Sequence, residues 1–246
     1  MEELCRAAVR AGLDEVCVTD HTDVNGWDFV PYDFRIPELM AEIERAREIF
    51  DGRLTVTAGT ELGQPLQNEE LAAEVTAGPY DFVIGSLHNL AGMYDFGLME
   101  YRDEGHCVET LERYMAELDE HVKLGDFDVL GHITYPLRYM RGQGFTVTFD
   151  RFKEQVREIL RTVIGRGKGI EINTSGLRGG LGETLPPLET VRLYRELGGE
   201  VLTIGSDAHR QEDVGSGIAE AQELAMAAGF RYFTVFRGRK PEFIKL

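Results

Sequence analysis

Short runs of β-branched and aromatic residues alternate along the chain with longer segments in which apolar residues recur every third or fourth position. The short runs, at residues 15–19, 54–60, 80–85, 127–131, 169–173, 201–205 and 231–236, predict strands. The longer segments predict amphipathic helices. Val108, Leu111, Met115, Leu118 and Val122 make one apolar stripe, and Phe152, Val156, Ile159, Leu160 and Val163 make another. Boundary signals agree with this division: Pro37 and Pro187 stand near helix starts, Asp150 is a suitable N-cap, and Gly12, Gly125 and Gly229 follow helices as stops. Such alternation predicts an α/β protein with parallel strands joined by crossover helices, in an open doubly wound sheet or a closed barrel. The length of 246 residues favours a barrel, with residues 1–246 forming a single domain, since no linker, repeat or low-complexity tract divides them. The one glycine-dense segment, 177–182, does not open the first strand–helix unit, as a dinucleotide-binding turn would.

Charge narrows the partners. A formal net charge of -17 repels a nucleic-acid backbone, whose binding depends on clustered Lys and Arg, so no nucleic-acid partner is expected. A small phosphorylated substrate is compatible with that charge, because a metal cluster and a few arginines make a local positive site. No apolar run approaches the roughly 20 residues needed to cross a bilayer, and no membrane partner is expected. Cys5, Cys17 and Cys107 are odd in number and lack CxxC spacing, which argues against a disulfide framework or a thiolate zinc site. A reducing, cytoplasmic setting is the expectation, with no secretory apolar segment at the start.

The candidate chemistry lies where the apolar runs stop. They lead into Asp20-His21, Gly59-Thr60-Glu61, Ser86-Leu87-His88, Gly131-His132, Glu171-Ile172-Asn173 and Ser206-Asp207-Ala208-His209. In a parallel barrel the C-terminal strand ends share one rim, so these residues converge on one pocket. A strand-end His or acid taken alone is more often a hydrogen-bonded scaffold residue than a ligand. Four of the six histidines fall at such ends, however, and crowded carboxylates repel one another unless divalent cations are bound between them. Imidazole with carboxylate suits zinc, iron or manganese. His106 has no assignment, His121 reads as solvated on the polar side of its helix, and Trp27 reads as a pocket-mouth or loop-anchoring aromatic.

In this order the motifs resemble the PHP family, named for polymerase and histidinol phosphatase, and the stretch Asp128-Val-Leu-Gly-His-Ile-Thr-Tyr-Pro-Leu-Arg-Tyr139 is similar to its histidinol-phosphatase branch. The resemblance implies a distorted TIM-like barrel with two or three divalent metal ions at its C-terminal rim. His88, His132 and Glu61 would hold one ion, Glu61 would bridge to a second held by Asp207, and His21 and His209 would hold the third. It further implies hydrolysis of L-histidinol phosphate, a step of histidine biosynthesis, by a metal-bridging hydroxide, with Glu61, Asp207 and His209 catalytic and Asp207 and His209 as proton-transfer groups. Arg138 and Arg178, on rim loops, would grip the substrate phosphate bidentately.

Family members begin with a strand ending in His-x-His, which this sequence lacks; Met1 opens on the helix that follows that strand in the family. The expectation is a late start that omits the first barrel strand. An open seam, self-association into a homo-oligomer, reduced metal content and weak activity would follow. Other readings are a PHP phosphoesterase for phosphotyrosine or a nucleotide, and a degenerate, non-catalytic metal-binding domain.

Overall fold

Residues 1–24, 36–178 and 180–246 are described by the computed structural model, and Trp27 lies outside them. The chain runs α1 (Glu2–Arg10), β1 (Glu15–Val18), β2 (His21–Asp23), α2 (Ile36–Ile49), β3 (Thr55–Gly63), α3 (Glu69–Thr76), β4 (Phe82–Ser86) and α4 (Glu104–Leu124). It continues through β5 (Val129–Leu130), α5 (Tyr135–Gly142), α6 (Lys153–Gly165), β6 (Gly169–Asn173), α7 (Ser175–Arg178), α8 (Leu188–Glu196), β7 (Leu202–Gly205), α9 (Ile218–Ala227), β8 (Tyr232–Arg237) and β9 (Lys240–Lys245).

The predicted parallel architecture is present. Strands β1, β3, β4, β5, β6 and β7 pair in that order, all parallel, and β2 pairs with the far end of β3 beyond β1. The sheet curls into a TIM-like half-barrel and does not close: no pairing joins β1 to β7 among the described residues. Alternation along each strand sorts the side chains by face. Val83 of β4 and Ile170 and Ile172 of β6 point outward into the main core beneath the helices, while Phe82 and Ile84 point inward with Val129. Ser86, Glu61 and Glu171 continue the inward rows toward the C-terminal rim, which is how a hydrophobic strand delivers a polar residue to the barrel mouth.

Several expectations need correction. The run at 231–236 does not join the parallel sheet; it forms β8 of an antiparallel hairpin with β9. Its inward Phe236 plugs the lower barrel, stacked on Phe82 with ring centroids 4.9 Å apart. The hairpin tip binds acids at the lower strand ends. Arg237 pairs with Glu15, and Arg239 takes Asp128 through Nε and Asp126 through both Nη atoms at 3.0–3.1 Å. The short strand β2 was also not foreseen. Asp150 does not cap α6: it lies in a 3-10 turn, Phe149–Phe152, whose N-cap is Thr148. His121 is not solvated but 2 % exposed, stacked on Phe127 at 5.1 Å. It packs against the backbone of Gly85, where a Cβ would come within 2.8 Å of its Nε2, so only glycine leaves room for the ring.

Candidate metal centre at the strand ends

Register alone sets the first contact. His21 on β2 is the direct neighbour of Glu61 on β3, and Asp23 is the neighbour of Gly63. Two residues beyond β4 comes His88, and two beyond β5 comes His132, each carried inward by the turn that ends its strand. His88 Nε2 lies 3.0 Å from Glu61 Oε1, His132 Nε2 lies 2.7 Å from the same oxygen, and the two ring nitrogens are 3.3 Å apart. His21 Nε2 approaches the other Glu61 oxygen at 3.5 Å. His209, after β7, sits with its ring 5.5 Å from that of His21 and its Nδ1 3.4 Å from Asp207 Oδ1. All six sequence-predicted ligands therefore line one cleft of about 360 Å³.

Electrostatics shows why these groups tolerate one another. Burial opposes charge on His88, but Asp23 and Glu61 outweigh it and hold the imidazole well above its ordinary pKa. Burial likewise pushes Glu61 up, yet His88, His132 and His21 bring its carboxyl well below the usual range. Asp207 follows the same balance, with burial overcome by His132, His209 and Arg138. Its backbone is left-handed, with φ 49°, a conformation that costs a non-glycine residue energy and that accumulates at functional sites. Glu171 goes the other way. Burial, with the charges of Glu61 and Asp207, raises its pKa to about 8, and its Oε2 accepts from the His132 backbone N–H at 3.2 Å. Glu171 thus stands behind the cleft wall.

The donor set fits a divalent cation. His88 Nδ1 is 2.7 Å from Asp23 Oδ1, so the ring proton belongs there and the Nε2 lone pair faces Glu61. A lone pair 3.0 Å from a carboxylate oxygen is repulsive unless His88 carries a second proton or a cation stands between them. Two ligands of a tetrahedral ion at about 2.0–2.1 Å sit roughly 3.3 Å apart, the separation observed between His88 Nε2 and His132 Nε2. The contacts of Glu61 Oε1 with His132 at 2.7 Å and with His88 at 3.0 Å are tighter than that spacing and must open slightly for an ion to enter.

The two arginines differ in placement. Arg138 lines the cleft, its guanidinium donating to Ser175 Oγ and Tyr139 OH at 2.7 Å each, lying over the Tyr135 and Tyr139 rings and standing 3.7 Å from Asp207. Arg178 does not line it. Its Nη2 donates to the carbonyl oxygens of Ser206 and Asp207 at 2.7 and 3.0 Å, Nε pairs with Asp213, and Nη1 is buried with no hydrogen-bond partner among the described residues. Sequence reasoning missed Asp23, Gln64 and the hydroxyl of Ser86, which donates to Glu61 Oε1 at 2.7 Å. The period-two step from His21 to Asp23 was the available signal.

Comparison with known proteins bears on the family and the fold. Residues 1–175 match the model of the PHP domain. The chain is 30% identical to the histidinol-phosphatase of Lactococcus lactis over 237 residues, 95% of this chain and 87% of that protein. It is 32% identical to the probable histidinol-phosphatase of Deinococcus radiodurans, over 97% of this chain and 90% of that one. The crystal structure of histidinol phosphate phosphatase from Lactococcus lactis, complexed with zinc, L-histidinol and phosphate, superposes with a TM-score of 0.84 at 26% identity, covering 98% of this chain and 91% of that chain. No helix among the described residues is long and apolar enough to cross a membrane.

Proposed function

This chain belongs to the PHP domain family, and from that premise we propose that it is a metal-dependent phosphomonoester hydrolase whose substrate is L-histidinol phosphate. The observation that carries the reading is the convergence of His88 Nε2, His132 Nε2 and Glu61 Oε1 within 2.7–3.3 Å, in a cleft that also holds the Arg138 guanidinium. The proposed ligands are His21, Glu61, His88, His132, Asp207 and His209, holding two or three ions of zinc, iron or manganese. Such ions, when bound, acidify water and neutralise the charge that gathers on phosphoryl oxygens.

The chain's own residues do the rest. Arg138 offers its fork to the phosphate, held in place by Ser175 and by two tyrosine rings that keep it desolvated. Arg178 fixes the loop carrying Asp207, and a grip on the phosphate would require its buried Nη1 to turn into the cleft. Asp207, half-buried and with its pKa held down, would take the proton of the attacking water. His209, whose side chain is 66 % exposed beside it, is placed to return a proton to the departing ester oxygen. The family of the relatives and the absence of a long apolar helix among the described residues support a cytoplasmic enzyme of amino-acid biosynthesis that meets a small substrate in solution. Self-association along the open sheet edge belongs to the same proposal.

Steady-state kinetics of the metal-loaded protein on L-histidinol phosphate, phosphotyrosine and a nucleoside monophosphate tests it. The expected result is the largest kcat/KM for histidinol phosphate and loss of turnover on chelation. Preference for either other ester, or turnover that survives complete metal removal, refutes it.

A further inference from the structure

Behind the imidazoles stands a second carboxylate that the catalytic reading does not use. Asp23 reaches His88 Nδ1 through Oδ1 at 2.7 Å and His21 Nδ1 through Oδ2 at 3.5 Å. At their opposite ends the same two rings face the two oxygens of Glu61, at 3.0 and 3.5 Å. Two imidazoles thus span the gap between two carboxylates, and only the Glu61 side opens on the cleft and on His132. Because a neutral imidazole has one N–H, whichever carboxylate takes that proton decides which nitrogen offers a lone pair.

For His88 the contact with Asp23 is the shorter one, 2.7 Å against 3.0 Å to Glu61, and Gln64 and Gly63 support it. Gln64 donates its Nε2–H to Asp23 Oδ1 at 2.9 Å, so that oxygen is an acceptor, and the Gln64 Oε1 accepts from the His88 backbone N–H at 2.9 Å. Gln64 is 1 % exposed and holds a left-handed backbone with φ 50°, a strain that the surrounding contacts sustain. Opposite Asp23 in the ladder is Gly63, where a Cβ would lie 1.7 Å from Asp23 Oδ1 and 3.1 Å from His88 Nδ1. The empty position on β3 is the space in which the carboxylate meets the ring.

We propose that Asp23 is the positioning carboxylate of the metal centre: it holds His88 and His21 by Nδ1, so both aim Nε2 at the space beside Glu61, and Gly63 and Gln64 hold Asp23 in place. The inference rests on the reading that these imidazoles hold a divalent ion, and is independent of which phosphoester is cleaved. Asp23 touches neither substrate nor ion, so its effect is read first on zinc binding and on ring tautomer, with activity secondary.

The test is zinc affinity of the metal-stripped full chain by chelator competition, with ¹⁵N NMR of the histidine rings in the zinc-loaded state and thermal melts of the zinc-free state. Loss of a carboxylate behind a metal-bound histidine costs about 10–100-fold in affinity. Asp23→Ala is expected to lose that much and to change the His88 ring signals, while Asp23→Asn, which keeps one acceptor, falls between it and the original protein. Gly63→Ala is expected to match Asp23→Ala, and the double variant to be no weaker than the weaker single one, because both remove one contact. Should Gly63→Ala not fold, the two Asp23 variants decide alone. Unchanged zinc affinity and ring signals in Asp23→Ala overturn the inference and leave the hydrolase reading standing. A parent protein that binds no zinc, iron or manganese overturns both.

Discussion

Replacing Arg239 with Ala removes the latch between the C-terminal hairpin and the lower strand ends. Asp128 is 6 % exposed, and its carboxylate is held by Arg239 Nε at 3.1 Å to each oxygen and by the Val83 N–H at 2.8 Å. After the substitution only the backbone donor remains. Stripping the partner from a buried ion pair costs about 3–5 kcal/mol. The side chain of Arg239 is itself 22 % exposed, and that of Asp126, its other partner, is 58 % exposed, so water relieves part of that cost. A loss of about 2–3 kcal/mol remains, or roughly 5–10 °C in Tm for a chain of this size. Arg239 also has φ 61°, so Arg239→Gly is the control: it loses the same ion pairs but relieves about 1 kcal/mol of left-handed strain, and should fall between the other two proteins. Urea unfolding followed by far-UV circular dichroism gives the values. Activity at 25 °C should be retained, because the cleft lies at the other end of the strands. The reasoning is refuted if Arg239→Ala unfolds within about 0.5 kcal/mol of the parent protein, the range of ordinary surface substitutions.

Other outcomes follow from the same structure. Burial drives His121 down to about 4 from 6.5, so the unfolded chain takes up a proton before the folded one and stability falls as pH drops from about 6.5 to about 4. This contributes up to about 3 kcal/mol of acid sensitivity, which His121→Leu should remove; urea melts at pH 6.5 and 4.5 that show equal losses in both proteins contradict it. Arg138→Lys keeps the charge but not the fork, and should lower kcat/KM on histidinol phosphate about 10- to 100-fold, as expected for one charge-assisted hydrogen bond; an unchanged value removes Arg138 from the phosphate site. If residues 1–246 form one domain, calorimetry of the metal-free protein gives a single transition with equal calorimetric and van't Hoff enthalpies, and two resolved transitions contradict it.

Glu61, His88, His132 and Asp207 were legible in the sequence because each follows a β-branched run, and parallel topology brings such ends together whatever their separation in the chain. Asp23 was not, because β2 is His-Thr-Asp and has no apolar residue to announce a strand. It is positioned by pairing with β3, a tertiary fact. His121 was legible and misread. Cys107, Leu111, Tyr114 and Leu118 step by four, three and four, and a further three reaches His121, on the buried line of α4. The run at 231–236 resembles its parallel predecessors in composition. What distinguishes it lies just beyond, in Arg237-Gly238-Arg239, a tight hairpin turn that a crossover connection does not need. Asp150 and Thr148 are both good caps, and the choice between them depended on the 3-10 turn that precedes α6.

Arg237 meets Glu15 across 222 positions of chain, so the lower end of the barrel is finished only after the β8–β9 hairpin has left the ribosome. Until then the nascent protein carries Phe82, Ile84 and Val129 without the ring of Phe236 to cover them. Synthesis therefore passes through a stage with a greasy, acid-rimmed hole, which is the kind of surface that chaperones retain and that premature termination leaves permanently open.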